Sequence, residues 1–235
     1  PMLRKATADD LPALTALRCG AAKANPVDAA GWLQNVAGLG NILVLEKNGQ
    51  PAAMLAAVPV KYGQHRGVWL CGAAGVQGVP MDRLLPKIME GCLRAYGASG
   101  FDFAVTTPDD ARRAEDLKTL GFKSQLPLRV IQTPIRRDLL AQASFDSLTV
   151  HKLLEMRHIY QPGCITLPES AMNEIMTQLY RRGLTVVSNR RGYGLYYTSG
   201  DTLQFLELQA DNDHCADRLL QAAREKTGAA NARIL

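Results

Sequence analysis

The chain has 235 residues, of which 47% are hydrophobic and 21% charged, and its formal net charge is +5. This balance is typical of a folded globular protein and excludes a disordered chain, and no apolar run reaches the roughly 20 residues of a membrane-spanning helix. The five cysteines are scattered and include no Cys-x-x-Cys pair, which argues against a disulfide framework or a zinc site. With no leader-like N-terminal segment, we expect a cytoplasmic protein.

The first half of the chain alternates helix and strand signals. Thr7 and Asp10 form a helix-start pattern ahead of leucines at helical spacing, and Asn25-Pro26 begins a second helix. Asn48-Gly49 is a hairpin signal. The predicted elements that follow are strands at 42–46, 52–60 and 68–76, a helix from 81 to about 97, a strand at 101–106, a helix begun by Thr107-Pro108 with Asp110 and ended by Gly121, and a strand at 126–133.

The second half repeats this order of elements. A capping box at Thr166 and Glu169 begins a helix, three strands follow at 184–188, 193–197 and 202–210, and a helix after Asp213 leads to a last strand at 232–235. In each pass the last strand follows its helix as a parallel crossover. We therefore expect two similar lobes, at 1–135 and 164–235, joined by a connector at 136–163.

The first lobe resembles the GNAT acetyltransferase superfamily over roughly residues 2–133. The resemblance depends on the helix after the first strand, the antiparallel meander of the strands at 42–46, 52–60 and 68–76, and the helix after it. It also depends on Leu117-Lys118-Thr119-Leu120-Gly121-Phe122 before the next strand. It implies an α/β (mixed α+β sheet) acyl-CoA N-acyltransferase fold with two lobes. The second lobe resembles a truncated, degenerate copy, without a glycine-rich segment between Gln209 and Ala216. The implied activity is acetyl transfer from acetyl-CoA to a small-molecule or peptide amine.

In that family a loop of the form Arg/Gln-x-x-Gly-x-Gly/Ala holds the pyrophosphate on backbone N–H groups at a helix N-terminus. The corresponding loop here has Pro80 and Asp82 where the later glycines belong. Pro80 removes a donor, and we expect Asp82 to cap a helix that starts at Arg83, so that its carboxylate binds the amides meant for phosphate. The cofactor-binding residues that the resemblance implies are Ala74, Gly75, Val76, Gln77, Gly78, Val79, Arg83 and Thr107.

The resemblance implies fewer catalytic residues than cofactor-binding residues. Leu117 stands where the family has its tyrosine general acid. Glu46, on the first meander strand, and Cys71, on the third, are candidate general bases, and the alternatives are a solvated strand-end charge and a packed core thiol. The principal alternative to an enzyme is a non-catalytic GNAT-like protein that binds a small molecule or a protein partner.

The remaining motifs have simpler interpretations. His151 and His158 are spaced too far apart for a helical metal site, and His214-Cys215 are neighbours that point apart on a helix. Tyr193 to Tyr197 beside Arg190 and Arg191 fits a half-buried hairpin better than a nucleic-acid platform, although nucleic-acid binding stays a third alternative. We expect no metal, no nucleic-acid or membrane partner, and a monomer or a homodimer.

Overall fold

The computed structural model describes residues 2–108, 111–123 and 129–235. The chain divides into two compact units. The first unit takes Pro1–Ser124 and Gly163–Ile175, and the second takes Gln125–Pro162 and Met176–Leu235. Each unit therefore consists of two separate stretches of chain.

Most elements of the first unit precede residue 124. They are β1 (Met2–Lys5), α1 (Leu11–Ala22), α2 (Pro26–Gly31), β2 (Ile42–Lys47), β3 (Gln50–Tyr62), β4 (His65–Gly75), α3 (Met81–Ala98), β5 (Phe103–Val105) and α4 (Ala111–Thr119). The later elements are β6 (Ile131–Pro134), α5 (Val150–Tyr160), α6 (Glu169–Arg181), β7 (Thr185–Asn189), β8 (Gly192–Ser199), β9 (Thr202–Ala210), α7 (Asp213–Thr227) and β10 (Asn231–Ile234).

The first sheet has its strands in chain order, β1-β2-β3-β4-β5, and only its last pair, β4 with β5, is parallel. Asn48 and Gly49 both have positive φ in the β2–β3 turn, which confirms the predicted two-residue hairpin. Both faces of this sheet are covered. One packs against α1, the π-helical turn Trp32–Ala37 that follows α2, and the first residues of α6, and the other packs against α3 and α4. Eight consecutive residues of β3, Pro51–Val58, are buried as a result.

The second sheet has the order β6-β10-β9-β8-β7. Strands β9 and β10 are parallel, and β6 is antiparallel to β10. Apolar residues of β8, β9 and β10 form a core with Leu219, Leu220 and Ala223 of α7. The two sheets thus repeat three antiparallel strands, a helix and a parallel strand, which confirms the predicted order of elements and both parallel crossovers.

The strand expected at 126–133 differs from the prediction. In the structure β6 begins at Ile131, and residues 126–128 lie outside the described part of the chain, as does the predicted helix-start residue Asp110. Strand β6 pairs with β10 of the second sheet and not with the first sheet. The expected connector at 136–163 also differs, because its residues up to Pro162 belong to the second unit and do not stand between the two units as a linker.

Candidate functional site

The parallel strands β4 and β5 separate at one end of the first sheet. Their pairing covers three positions and ends at Trp69 and Val105, whereas β4 continues to Gly75. The Thr106 hydroxyl donates a hydrogen bond of 2.8 Å to the Leu70 carbonyl just beyond the last pair. Past this point no described strand pairs with the outer edge of β4. The two carboxyl ends therefore enclose a gap, the position where ligands bind in open α/β sheets.

A bulge in β4 coincides with this separation. The register against β3 shifts so that Met54 faces Ala74 while Ala56 faces Cys71, which leaves one extra residue in β4. Gly72 lies in the bulge with φ of +67°, and a Cβ atom there would lie 2.5 Å from the Trp32 ring. Only glycine fits both the backbone conformation and the space. The tryptophan is itself covered by Arg18, whose guanidinium lies 3.8 Å from the ring centroid.

The bulge also decides which backbone groups of β4 point into the gap. The Val76 N–H donates to the Ala52 carbonyl on the β3 side. Because N–H and C=O groups alternate between the two edges of a strand, those of Ala73 and Gly75 point to the open side. Ala74 is turned into the core between the sheet and α1 and is only 6% exposed. Two residues of β4 thus offer unpaired backbone groups to an extended ligand.

The loop from Val76 to Met81 consists of two tight turns. The Val79 N–H donates to the Val76 carbonyl, with Gly78 at φ of +88°, as a type II turn requires. The Met81 N–H then donates to the Val79 carbonyl around Pro80. The φ of −77° and ψ of 73° at Pro80 are those of the central residue of an inverse γ-turn. These turns use two amides that a phosphate would otherwise contact.

Helix α3 begins at Met81, and the prediction that it begins at Arg83 with Asp82 as N-cap is wrong. The residue before the helix is Pro80, and no side chain caps this end. The Arg83 and Leu84 amides donate to the Pro80 carbonyl. Among the described hydrogen bonds, the amides of Gln77, Gly78 and Asp82 have no partner. Asp82 does not block the helix terminus, because its carboxylate turns towards Arg113 of α4.

The structure groups most of the predicted cofactor-binding residues at this gap. Gly75 contacts the Met81 side chain, as a Cβ added to it would lie 2.7 Å from the Met81 sulfur. Val76, Gln77, Gly78 and Arg83 are exposed around the loop, Val79 is half-buried, and Thr107 is exposed just after β5. Ala74 is the exception, because it packs inside.

Comparison with solved structures identifies this arrangement. Eis1 from Mycobacterium abscessus superposes with a TM-score of 0.72 at 14% identity, over 100% of this chain and 65% of Eis1. A GCN5-related N-acetyltransferase from Anabaena variabilis gives 0.75 at 13% identity, over 99% of this chain and 64% of that protein. A probable N-acyltransferase from Enterococcus faecalis gives 0.72 at 10% identity, over 99% and 64%.

The chain has the GNAT acyl-CoA N-acyltransferase fold. The match extends over both units, which confirms the predicted α/β fold class and two-lobe resemblance. The chain spans just under two thirds of the length of these GNAT structures. No protein-family model matches its sequence, and no curated protein does either. Identities this low show the fold alone.

Glu46, one of the two predicted bases in the first unit, is bound in an ion-pair cluster. Its carboxylate accepts a 2.5 Å hydrogen bond from Arg4 Nε, and the other nitrogens of Arg4 donate to both oxygens of Asp10 at 2.7 and 2.9 Å. The Arg4 guanidinium lowers the pKa of Asp10 to about 2. Glu46 lies on β2, two strands from β4, and its carboxylate binds Arg4 of β1 and does not face the gap.

Cys71 is partly buried and Leu117 is fully buried. Burial raises the pKa of the Cys71 thiol to about 12, so the thiol stays protonated at neutral pH, and it packs against the core that contains Trp32. Leu117 is 6% exposed, in the core between α3, α4 and the sheet. Neither residue offers an acid or a base to the gap.

The second unit repeats the bulge, but polar side chains beyond it are bound within the protein. Leu195 and Tyr196 face Glu207 and Phe205, which leaves Leu206 unpaired in β9, and the pairing of β9 with β10 ends at Phe205 and Ile234. Directly beyond, Glu207 binds Arg157 of α5 and accepts a 2.8 Å hydrogen bond from the Tyr193 hydroxyl.

The start of α7 is also closed. The Asn212 side chain caps the helix by accepting from the Cys215 amide at 2.8 Å. Asp211 beside it binds the Tyr160 hydroxyl and Arg191. This helix N-terminus therefore has its own internal acceptor, and Glu207, just beyond the last β9–β10 pair, is already bound by Arg157.

The other motifs lie apart from the gap. Tyr193 and Tyr196 are buried, whereas His151 and His158 are exposed on α5. Across residues 2–108, 111–123 and 129–235, no group of three His, Cys, Asp or Glu side chains is arranged to hold a metal ion. Within the same part of the chain, every helix is too short or too polar to cross a membrane.

Proposed function

We propose that the first unit is a GNAT-type acyltransferase, which transfers an acetyl group from acetyl-CoA to an amine of a small molecule or peptide. The observation that carries the proposal is the gap between β4 and β5, opened by the Gly72 bulge next to the start of α3. The second unit has a bulge at the same place, but there Glu207 is bound by Arg157 and the helix N-terminus is capped by Asn212. We therefore assign the reaction to the first unit alone.

The residues at the gap fit an extended thioester cofactor. The open backbone groups of Ala73 and Gly75 form an edge on which the amides of the pantetheine arm add like a short strand. At the loop, the amides of Gln77, Gly78 and Asp82 and the side chain of Arg83 are the donors that remain for phosphate. Thr107 follows β5 on the other side of the gap. When bound, acetyl-CoA supplies an activated acyl group at the open end of β4.

The proposed reaction needs little covalent help from the protein. The acceptor nitrogen attacks the thioester carbonyl carbon, a C–N bond forms, and the C–S bond breaks to release CoA as a thiolate. One proton leaves the nitrogen, and one is taken up by the thiolate. Since Glu46 is bound by Arg4 and the Cys71 thiol stays protonated, we give neither the role of base, and water carries the proton. Holding the two reactants together then supplies most of the rate enhancement.

Thermal unfolding in the presence of acetyl-CoA and of free CoA tests the cofactor. A ligand at a hundredfold its dissociation constant stabilises the folded protein by about 2.7 kcal/mol. We expect both compounds to raise the melting temperature. Release of free thiol from acetyl-CoA in the presence of a panel of amines then tests the transfer. Absence of any stabilisation at millimolar CoA would rule the proposal out.

A non-catalytic binding protein is the second candidate function, and the loop favours it. Four amides from Val79 to Leu84 are bonded within the loop or helix, and Pro80 has none, so fewer donors remain for phosphate than a glycine-rich loop offers. Under this alternative, CoA gives no thermal shift, and no amine releases thiol from acetyl-CoA.

A further inference from the structure

The first turns of α3 and α4 are joined by an ion-pair cluster. The Asp82 carboxylate of α3 lies 3.3 Å from one guanidinium nitrogen of Arg113 and 3.5 Å from one of Arg112, both on α4. Because β4 and β5 are parallel neighbours, the helices that follow them start at the same edge of the sheet. The cluster of Asp82, Arg112 and Arg113 therefore lies at the edge of the sheet onto which the gap opens.

The three side chains differ in how firmly they are held. The Asp82 and Arg112 side chains are 64% and 76% exposed, so their ion pair is screened by water and weak. The Arg113 side chain is only 15% exposed and also lies 3.7 Å from Asp116 on its own helix. Asp82 is thus the easily displaced member, and Arg113 is positioned independently of it.

The cluster has the chemistry of an anion site already occupied by an anion. A guanidinium fork binds a phosphate with two parallel hydrogen bonds, and two guanidinium groups converge here. The Asp82 amide at the first turn of α3 has no partner among the described hydrogen bonds, and the helix dipole adds positive potential. A phosphate brings more charge and more acceptor oxygens than the carboxylate that now holds the arginines.

We propose that the Asp82 carboxylate occupies a phosphate site of the first unit when no cofactor is bound. A phosphate group of CoA then displaces this carboxylate and binds Arg112 and Arg113. This inference rests on the proposed function, since it names the residues that receive the phosphates of acetyl-CoA. It assigns phosphate recognition to α4 in addition to the altered loop before α3. Asp82 then sets the affinity for CoA, because its carboxylate must leave the arginines before the phosphate can bind.

Calorimetric titration of CoA into the full chain tests this role. The Asp82→Asn substitution removes the competing charge at nearly constant shape, and we expect it to tighten CoA binding about fivefold, as expected for loss of an exposed charge pair. The double substitution Arg112→Gln/Arg113→Gln should weaken binding about tenfold or more. In that background Asp82→Asn should have no effect, because the arginines it competes for are gone.

Matched controls separate this effect from a change in fold. Glu90→Gln removes a carboxylate that pairs with Arg94 further along α3, and it should leave CoA binding unchanged. Pantetheine has no phosphate, so its affinity should be equal in the wild type and Asp82→Asn. Dephospho-CoA locates the contact: a persisting effect of Asp82→Asn assigns it to the pyrophosphate, and a lost effect assigns it to the 3′-phosphate. Circular dichroism confirms that each variant is folded.

Two outcomes would overturn the inference. If CoA binds the wild type and Asp82→Asn leaves its affinity unchanged or weakens it, Asp82 does not compete with phosphate, and the proposed function still stands. If CoA binds none of the variants, both proposals fail. If the affinities follow the prediction but no amine releases thiol, the phosphate site stands and the acyltransferase proposal fails.

Discussion

Gly72 shows how one residue opens the candidate site. Its positive φ places the extra residue of the β4 bulge, and its missing side chain leaves room for the Trp32 ring. The bulge also shifts the alternation along β4. Cys71 and Ala74 face the same core, with Ala73 on the opposite side. The gap for the cofactor thus depends on a backbone conformation that side chains other than glycine rarely adopt.

We predict that Gly72→Ala lowers the free energy of unfolding by about 1–3 kcal/mol, since the new methyl group is strained at this φ and clashes with Trp32. Gly91→Ala is the matched control, because Gly91 lies within α3 with no atom near its added Cβ. That control should raise stability by up to about 1 kcal/mol. Urea unfolding measures both, and equal effects would contradict this account of the bulge.

Asp10 gives a prediction for the dependence of stability on pH. Arg4 lowers its folded-state pKa to about 2 from an ordinary value of 3.8. A depressed acid contributes stability that is present above the unfolded-state pKa and is lost as the pH falls through the folded-state pKa. The stability difference between the wild type and Asp10→Asn should therefore be full at pH 7 and shrink from about pH 4 towards pH 2.

The measurement is urea unfolding of the wild type and Asp10→Asn at a series of pH values. Asp9→Asn is the control, because Asp9 is exposed and forms none of the described ion pairs. A difference for Asp10→Asn that stays constant from pH 7 to pH 3 would show that the Arg4 contact does not carry the effect.

At the scale of elements, helix α5 binds the end of β9 in the second unit, at the position that corresponds to the open part of β4. Arg157 of α5 and Glu207 of β9 form a shielded pair whose side chains are 23% and 16% exposed. Tyr193 adds a hydrogen bond to the same carboxylate. The pair holds α5 against the part of β9 that β10 leaves unpaired. The ion pair of Arg157 and Glu207 therefore lies at the part of the second sheet where β9 has lost its pairing with β10.

We predict that Arg157→Met costs about 3–5 kcal/mol of stability, because it leaves the Glu207 carboxylate shielded without its partner. Glu207→Gln combined with Arg157→Met should cost less than the two single changes together, with a coupling of about 1–3 kcal/mol in a double-mutant cycle. The exposed pair of Glu90 and Arg94 is the comparison, with an expected coupling below about 1 kcal/mol. Similar couplings for both pairs would contradict the role given to α5.

The sequence predicts the elements better than their partners, for physical reasons. Periodicity and capping are local, so the hairpin at Asn48-Gly49 and both parallel crossovers are correctly predicted. The partner of β6 is not local, because residues 131–134 pair with β10 about a hundred positions later. The sequence also does not show that Asp82 prefers Arg113 to its own helix, since that choice depends on where α4 starts. The position of the bulge in β4 cannot be predicted from the sequence, because Gly72 and Gly75 are equally able to adopt positive φ.

At the scale of the whole molecule, the two units are interleaved along the chain. Gly163–Ile175 belongs to the first unit, although Gln125–Pro162 before it belongs to the second. Ala171 is 2% exposed in the core of the first unit, where Leu167 and Ile175 also pack. The Thr166 and Lys61 backbones exchange two hydrogen bonds in the same unit. The first unit is therefore incomplete without these residues.

We predict that a fragment of residues 1–135 is less stable than one of residues 1–175 by about 2–4 kcal/mol, since it lacks the apolar side chains of Ala171, Leu167 and Ile175. Tryptophan fluorescence during urea unfolding reports the first unit selectively, because Trp32 and Trp69 are the only tryptophans of the chain. Equal midpoints for the two fragments would show that residues 163–175 add nothing to this unit.

The placement of Ala171 has a consequence for synthesis on the ribosome. When residue 124 has been made, the first sheet and its helices α1 to α4 are present, but the segment that covers part of its core is about fifty residues away. At the usual rate of translation this is a wait of roughly 3–10 s. During that interval the apolar surface that Leu167, Ala171 and Ile175 later cover is exposed. We expect chaperones that bind exposed apolar surface to protect this intermediate until residue 175 emerges.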